Sequence, residues 1–89
     1  MILNFPNPSR SFDAPRARVR FWAYDRTMEV SLFIAIDALR KLVPEMGDEE
    51  DHILKVFDTA RERINDTASR VYARTRTGTY TCSLAVEDF

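Results

Sequence analysis

Arginines and aromatic residues alternate near the start of the chain, in the stretch RARVRFWAY at residues 16–24. A guanidinium group binds planar anions through several N–H donors, and aromatic side chains stack on flat partners or anchor protein interfaces. The side chains of a β-strand alternate between its two faces. If the stretch forms a strand, one face carries Arg16, Arg18, Arg20, Trp22 and Tyr24. These residue types at this spacing predict a face that binds a partner.

Three interpretations of this face are open. It could be an interface with another protein or a second copy of this chain, with Trp22, Tyr24 and Phe33 as anchors. It could bind single-stranded nucleic acid, with arginines on phosphates and rings stacked on bases. It could also be a solvent-facing sheet surface whose arginine stems cover the rings. We favour a protein interface, including a homodimer, because a net charge of -1 provides no general attraction to nucleic acid. The candidate partner-binding residues are Arg16, Arg18, Arg20, Trp22, Tyr24 and Phe33.

Residues that commonly carry catalysis are few and isolated. His52 is the single histidine, and Cys82 is the single cysteine. Cys82 falls on the apolar side of a predicted strand, where a thiol packs as a small hydrophobic group. The acidic run GDEED at residues 47–51 lacks the alternating ligands and central glycine of a calcium loop. We therefore predict a non-enzymatic interaction or regulatory domain, without catalytic residues, cofactor, metal site or an evident small-molecule ligand. An unrecognised enzyme is the third alternative, after a protein interface and nucleic-acid binding, and it would need a concave pocket with convergent polar groups.

The bulk properties restrict the fold and the location. The 89 residues suffice for one domain, over residues 1–89. The chain contains no run of about 18 apolar residues, which a membrane span needs. Its first ten residues lack the basic start and apolar stretch of a signal peptide, and one cysteine cannot form an intramolecular disulfide. These observations predict a cytoplasmic protein with no membrane partner.

The alternation continues into the stretch TMEVSLFI at residues 27–34, which predicts a β-hairpin that turns at Asp25 and Arg26. One register places all the apolar side chains on one face. It pairs Ala23 with Met28, Phe21 with Val30 and Val19 with Leu32. The opposite face then pairs Trp22 with Glu29, Arg20 with Ser31 and Arg18 with Phe33. One face of the hairpin therefore serves the core, and the other carries the candidate residues.

The remaining elements follow from the prolines and from the apolar spacing. Pro6 and Pro8 predict an extended arm over residues 1–10, before strands over residues 11–34. Apolar residues at helical spacing predict a short helix over 37–43 and a long helix over 48–74. Alternation returns in a last strand over 77–87. This order predicts an α+β fold, in which an antiparallel sheet of about four strands has the helices packed on one face.

Several segments, taken in order, also resemble a known family. They are FD at 12–13, RVRFWAYD at 18–25, EVSLFI at 29–34, IDALRKL at 36–42 and VFDTARERINDTASRVYAR at 56–74. Over residues 12–86 this pattern resembles the domain-of-unknown-function family 1488, a family of short bacterial proteins. The resemblance implies a compact α+β domain. It transfers no activity, ligand or catalytic residue.

Four residues of the predicted long helix match positions that are characteristic of that family. The resemblance implies that Phe57, Ile64 and Ala68 pack in the core. Arg61, the fourth, could be a structural arginine paired with Asp58 or Asp37, or part of a binding surface. We favour the structural role.

Overall fold

The computed structural model describes residues 3–75 and 80–89. In chain order the elements are β1 (Arg10–Asp13), β2 (Arg18–Asp25), β3 (Met28–Ala35), α1 (Ile36–Leu42), α2 (Glu50–Thr59), α3 (Arg61–Thr75) and β4 (Thr81–Leu84). Short 3₁₀ turns follow β1 at Ala14–Arg16 and β4 at Val86–Asp88. The predicted α+β class is confirmed.

The four strands lie side by side in sequence order, and the last pair is parallel. β1 with β2 and β2 with β3 pair antiparallel, as the alternation predicts. The prediction of a wholly antiparallel sheet is wrong for β4. β3 passes directly from Ala35 into α1 at Ile36, and three helices separate it from β4. A connection that crosses one face of a sheet returns the chain to the end where the previous strand began, so β4 runs parallel to β3.

The central hairpin has the predicted faces in a register displaced by two residues. The inner pairs are Ala23 with Val30, Phe21 with Leu32 and Val19 with Ile34. A displacement of two keeps every side chain on its predicted face, because strand side chains alternate with a period of two. The turn consequently lies at Arg26 and Thr27, one residue later than predicted. Arg26 has a φ of 61°, the left-handed conformation that two-residue hairpin turns require.

The predicted long helix over 48–74 is two helices, α2 and α3, which meet at Ala60. A straight helix over those residues would measure about 40 Å, whereas the longest dimension of the molecule is 35 Å. The break at Ala60 lets apolar side chains of both halves reach one core: Ile53 is 2% exposed and Ile64 is 0% exposed. Apolar spacing continues through Ala60, so the sequence pattern does not reveal the break.

The helices cover the inner face of the sheet, which holds the buried residues Val19, Phe21 and Ala23 of β2 and Val30, Leu32 and Ile34 of β3. Phe21 of β2 is 1% exposed and Phe57 of α2 is 0% exposed. Their rings meet edge to face, with centroids 5.0 Å apart and an interplanar angle of 64°, an arrangement that aromatic pairs favour. Cys82 and Leu84 extend the same core from β4. The inner face is therefore committed to packing.

Both terminal segments pair with the sheet over a short length. Residues 77–79 of the predicted strand 77–87 lie outside the described residues, and the strand spans Thr81–Leu84. In the predicted arm, Leu3 is buried. Asn4 exchanges two backbone hydrogen bonds with Tyr24, with N···O distances of 2.7 and 3.0 Å. These contacts attach the arm to β2.

Replacing Arg26 by glycine should stabilise the protein. A residue with a Cβ atom at positive φ carries a steric cost of about 1 kcal/mol that glycine does not. We expect the free energy of unfolding of Arg26→Gly to rise by about 0.5–1 kcal/mol, measured by urea denaturation. Thr27→Gly is the matched control and should leave stability unchanged or lower it, because Thr27 does not have positive φ. Equal gains from the two substitutions would contradict strain at Arg26.

Candidate functional site

The face of the sheet opposite the helices carries most of the predicted partner-binding residues. We call it the open face; on the two central strands it consists of Arg18, Arg20, Trp22, Tyr24, Glu29, Ser31 and Phe33. Trp22, Tyr24 and Phe33 are half-buried. Their inner-face neighbours, such as Val19 and Leu32, are 0% exposed, because the helices pack against the inner face. On the open face, arginine side chains lie over the rings of Phe33 and Trp22.

Arg18 is held by two different contacts. Its Nε donates a hydrogen bond to Oδ2 of Asp13 at 3.0 Å. Its guanidinium carbon lies 3.8 Å from the centroid of the Phe33 ring, well within the range of a cation–π contact. One surface of the Phe33 ring is therefore already occupied by an arginine of the same chain.

Arg20 lies between two aromatic rings near the middle of the open face. Its guanidinium carbon is 5.1 Å from the Trp22 ring centroid and 5.8 Å from the Phe33 ring centroid. One guanidinium nitrogen donates to the Ser31 hydroxyl at 3.1 Å. Arg20 is exposed and forms no ion pair within residues 3–75 and 80–89. The aromatic rings therefore position the Arg20 guanidinium, and its positive charge is still available to pair with an acidic group of a partner.

Arg16 lies outside strand β2, at the edge of the open face. The sequence places it at the start of the strand, but it ends the 3₁₀ turn Ala14–Arg16, and β2 begins two residues later. Ala17, between them, has a φ of 49°, which breaks the alternation. The Arg16 side chain is 68% exposed, and its guanidinium lies 3.7 Å from Asp13, a separation at which an exposed pair contributes little.

The two residues that could carry catalysis, His52 and Cys82, lie in different surroundings. His52 is exposed in α2 and accepts the Gly47 backbone N–H at 3.0 Å, whereas Cys82 is buried in β4. Within the described ranges no group of three or more His, Cys, Asp or Glu side chains could hold a metal ion. No helix in the described part of the chain has the length and hydropathy of a membrane span.

Arg61 lies in a polar cluster that connects the arm to the break between α2 and α3. It donates to the Pro8 carbonyl at 2.9 Å, and its guanidinium approaches Asp58 at 3.5 Å and lies 4.6 Å from the Phe57 ring centroid. Arg10 of β1 binds both oxygens of the same Asp58 carboxylate at 2.9 Å. Burial lowers the pKa of Arg61, and the Asp58 charge opposes that effect. Of the two partners considered from the sequence, Asp58 is the one Arg61 meets; Asp37 pairs with Arg40.

Comparison with known proteins agrees with this architecture. The profile of the family described as "Protein of unknown function (DUF1488)" matches residues 3–84. The chain belongs to the DUF1488 family. No curated protein matches it significantly.

A solved structure from the same DUF1488 family shares the fold. It is the crystal structure of a protein of unknown function from Shewanella loihica PV-4, with a TM-score of 0.80. The alignment covers 92% of this chain and 90% of that chain at 17% sequence identity. At that identity the similarity shows the fold alone.

Replacing Arg61 by alanine should destabilise the protein more than an ordinary surface substitution does. The change removes the hydrogen bond to Pro8, the contact with Asp58 and the packing on Phe57. We expect the free energy of unfolding to fall by about 1–3 kcal/mol. Chemical denaturation would measure it, with Arg63→Ala, an exposed neighbour on α3, as a control expected within about 0.5 kcal/mol of the natural protein.

The variant Arg61→Lys separates the effect of the positive charge from the effect of the planar guanidinium group. Lysine keeps the charge but lacks the planar fork that reaches two acceptors and lies on a ring. We therefore expect it to recover less than half of the lost stability. Full recovery by lysine, or equal losses at Arg61 and Arg63, would show that this cluster does not attach the arm.

Proposed function

We propose that this chain is a non-enzymatic interaction domain that self-associates through the open face. The observation that carries the proposal is the group formed by Trp22, Phe33 and Arg20 on the central strands. Half-buried aromatic rings next to an arginine without an acidic partner are typical of the centre of a protein interface. A regulatory role, which the sequence also predicts, would be exerted through this self-association.

Charge complementarity favours a second copy of the chain as the partner. Arg20–Phe33 and Tyr24–Glu29 are cross-strand pairs two residues either side of the Trp22–Ser31 pair. A twofold axis through that central pair, in the plane of the interface and perpendicular to the strands, exchanges the two ends. Arg20 of one copy would then lie beside Glu29 of the other. Twofold interfaces have this self-complementary form.

The size of the open face predicts a weak association. Each of the two central strands has eight residues and is therefore roughly 27 Å long. The sheet is roughly 14 Å wide across its four strands, so the open face has an area of about 400 Å² per copy. Stable interfaces bury about 800 Å² per partner. A dissociation constant on the order of 100 µM is therefore the appropriate expectation, and dimers would form at high local concentration.

The same contacts count against single-stranded nucleic acid. Base stacking needs accessible ring surfaces, whereas Arg18 lies 3.8 Å over Phe33 and Arg20 approaches Trp22. Asp13 and Glu29 also place negative charge on this side of the sheet. Binding nucleic acid would require the arginines to leave the rings.

A charge exchange tests the proposed dimer. We expect the natural protein to show concentration-dependent mass by sedimentation equilibrium between about 10 µM and about 1 mM. Arg20→Glu and Glu29→Arg should each weaken association about tenfold, because each places like charges side by side across the axis. The double variant Arg20→Glu/Glu29→Arg should restore the dissociation constant to within about threefold. A monomer at all concentrations, or single variants without effect, would overturn the proposal.

The single tryptophan separates the two kinds of partner. Trp22 emission should shift to longer wavelength as the protein is diluted and should stay unchanged when single-stranded RNA or DNA is added. The titrations are run at about 50 and about 200 mM salt, because phosphate contacts weaken steeply with salt. A saturable, salt-sensitive change that Arg18→Ala/Arg20→Ala abolishes would assign the open face to nucleic acid instead.

A further inference from the structure

A shallow depression in the helix layer has the features of a small ligand site. It lies between the end of α1 and the outer side of α2, encloses about 240 Å³, and is lined by Val43, His52, Lys55, Val56 and Thr59. The four α2 residues recur at intervals of three, one and three, so they form one stripe along the helix. This stripe is separate from the open face, and of its four residues Val56 also belongs to the buried core.

The His52 ring is oriented by a backbone hydrogen bond. Its Nδ1 accepts the N–H of Gly47 at 3.0 Å. A neutral imidazole has one donor and one acceptor nitrogen, so the remaining nitrogen, Nε2, carries the proton and is a donor. Gly47 leaves space for this arrangement, since a Cβ atom there would lie 3.3 Å from Nδ1 of His52. His52 therefore offers an oriented N–H donor at the edge of the depression.

Lys55 supplies a positive charge one turn further along the stripe. It forms no ion pair within residues 3–75 and 80–89. The Thr59 hydroxyl donates to the Lys55 carbonyl at 3.0 Å, so that hydroxyl proton is already used. Val56, 6% exposed, and half-buried Val43 provide the apolar part of the depression. The depression therefore combines the donor groups of His52 and Lys55 with an apolar lining. This combination suits a ligand that carries an anionic group on an apolar body.

We infer that the depression binds a small branched or cyclic monocarboxylate, with the carboxylate at Lys55 and His52 Nε2 and the apolar body on Val43 and Val56. Charged hydrogen bonds between a carboxylate and nitrogen donors are the strong ones. The depression, of about 240 Å³, has room for a small organic acid. The sequence does not indicate this site, because its residues come from two elements that only packing brings together.

Titration of the isotope-labelled full chain with isovalerate, followed by amide chemical shifts, tests the inference. We expect saturable shifts centred on residues 52–59, with a dissociation constant on the order of 1 mM. Isovaleramide has the same shape without the charge and should bind at least fivefold more weakly. Absence of saturation by about 20 mM, equal affinity for acid and amide, or shifts centred elsewhere would overturn the site.

Matched variants test the residue roles. Lys55→Gln should weaken isovalerate binding five- to tenfold, whereas Lys55→Arg should keep it within about threefold. Arg63→Gln removes the same charge from α3 and should change affinity less than twofold. Gly47→Ala should weaken binding by displacing the His52 ring. A loss at Arg63 equal to that at Lys55 would mean that only net charge matters, and the site would be rejected. None of these variants lies on the open face, so this result is distinguishable from the dimerisation tests.

Discussion

The packing of Phe21 against Phe57 depends on the alternation of the central hairpin, and the rest of the structure depends on that packing. The alternation sends Val19, Phe21 and Ala23 of β2 to the same side as three apolar residues of β3, and all six are buried; the three of β3 are Val30, Leu32 and Ile34. An apolar sheet face has to be covered, and a chain of this length can cover one face only. The helices therefore lie on the inner side, the crossover they form makes β4 parallel to β3, and the opposite side is left open.

Arginines recur in this molecule in one arrangement, with the guanidinium group over an aromatic ring. Arg61 over Phe57 and Arg18 over Phe33 are further held by carboxylates and, for Arg61, by the Pro8 carbonyl. Each of those two arginines therefore contacts both a ring and a carboxylate of the same chain. Arg20 contacts the rings and the Ser31 hydroxyl, and it pairs with no carboxylate among residues 3–75 and 80–89. Two of these three arginines are thus paired with a carboxylate as well as a ring, and the third contacts rings and a hydroxyl group.

The comparison within the DUF1488 family indicates which features the fold requires. The relative from Shewanella loihica PV-4 keeps the architecture at 17% identity. Many sequences can supply apolar residues at the right period, so a fold persists while individual side chains change. The open face and the depression beside His52 depend on particular side chains rather than on the period.

The sequence by itself determined the α+β class, the two faces of the hairpin and the positions of Arg18, Arg20, Trp22, Tyr24 and Phe33 on one of them. These features follow from periodicity, which is local and survives a register error of two residues. Only the tertiary structure decided the parallel pairing of β4, the break at Ala60, the exclusion of Arg16 from strand β2 and the contact of Arg61 with Pro8. Each depends on how the elements fit around one core or on a single backbone conformation such as that of Ala17. Residue types along the chain do not predict these features, because the features arise when distant segments pack against one another.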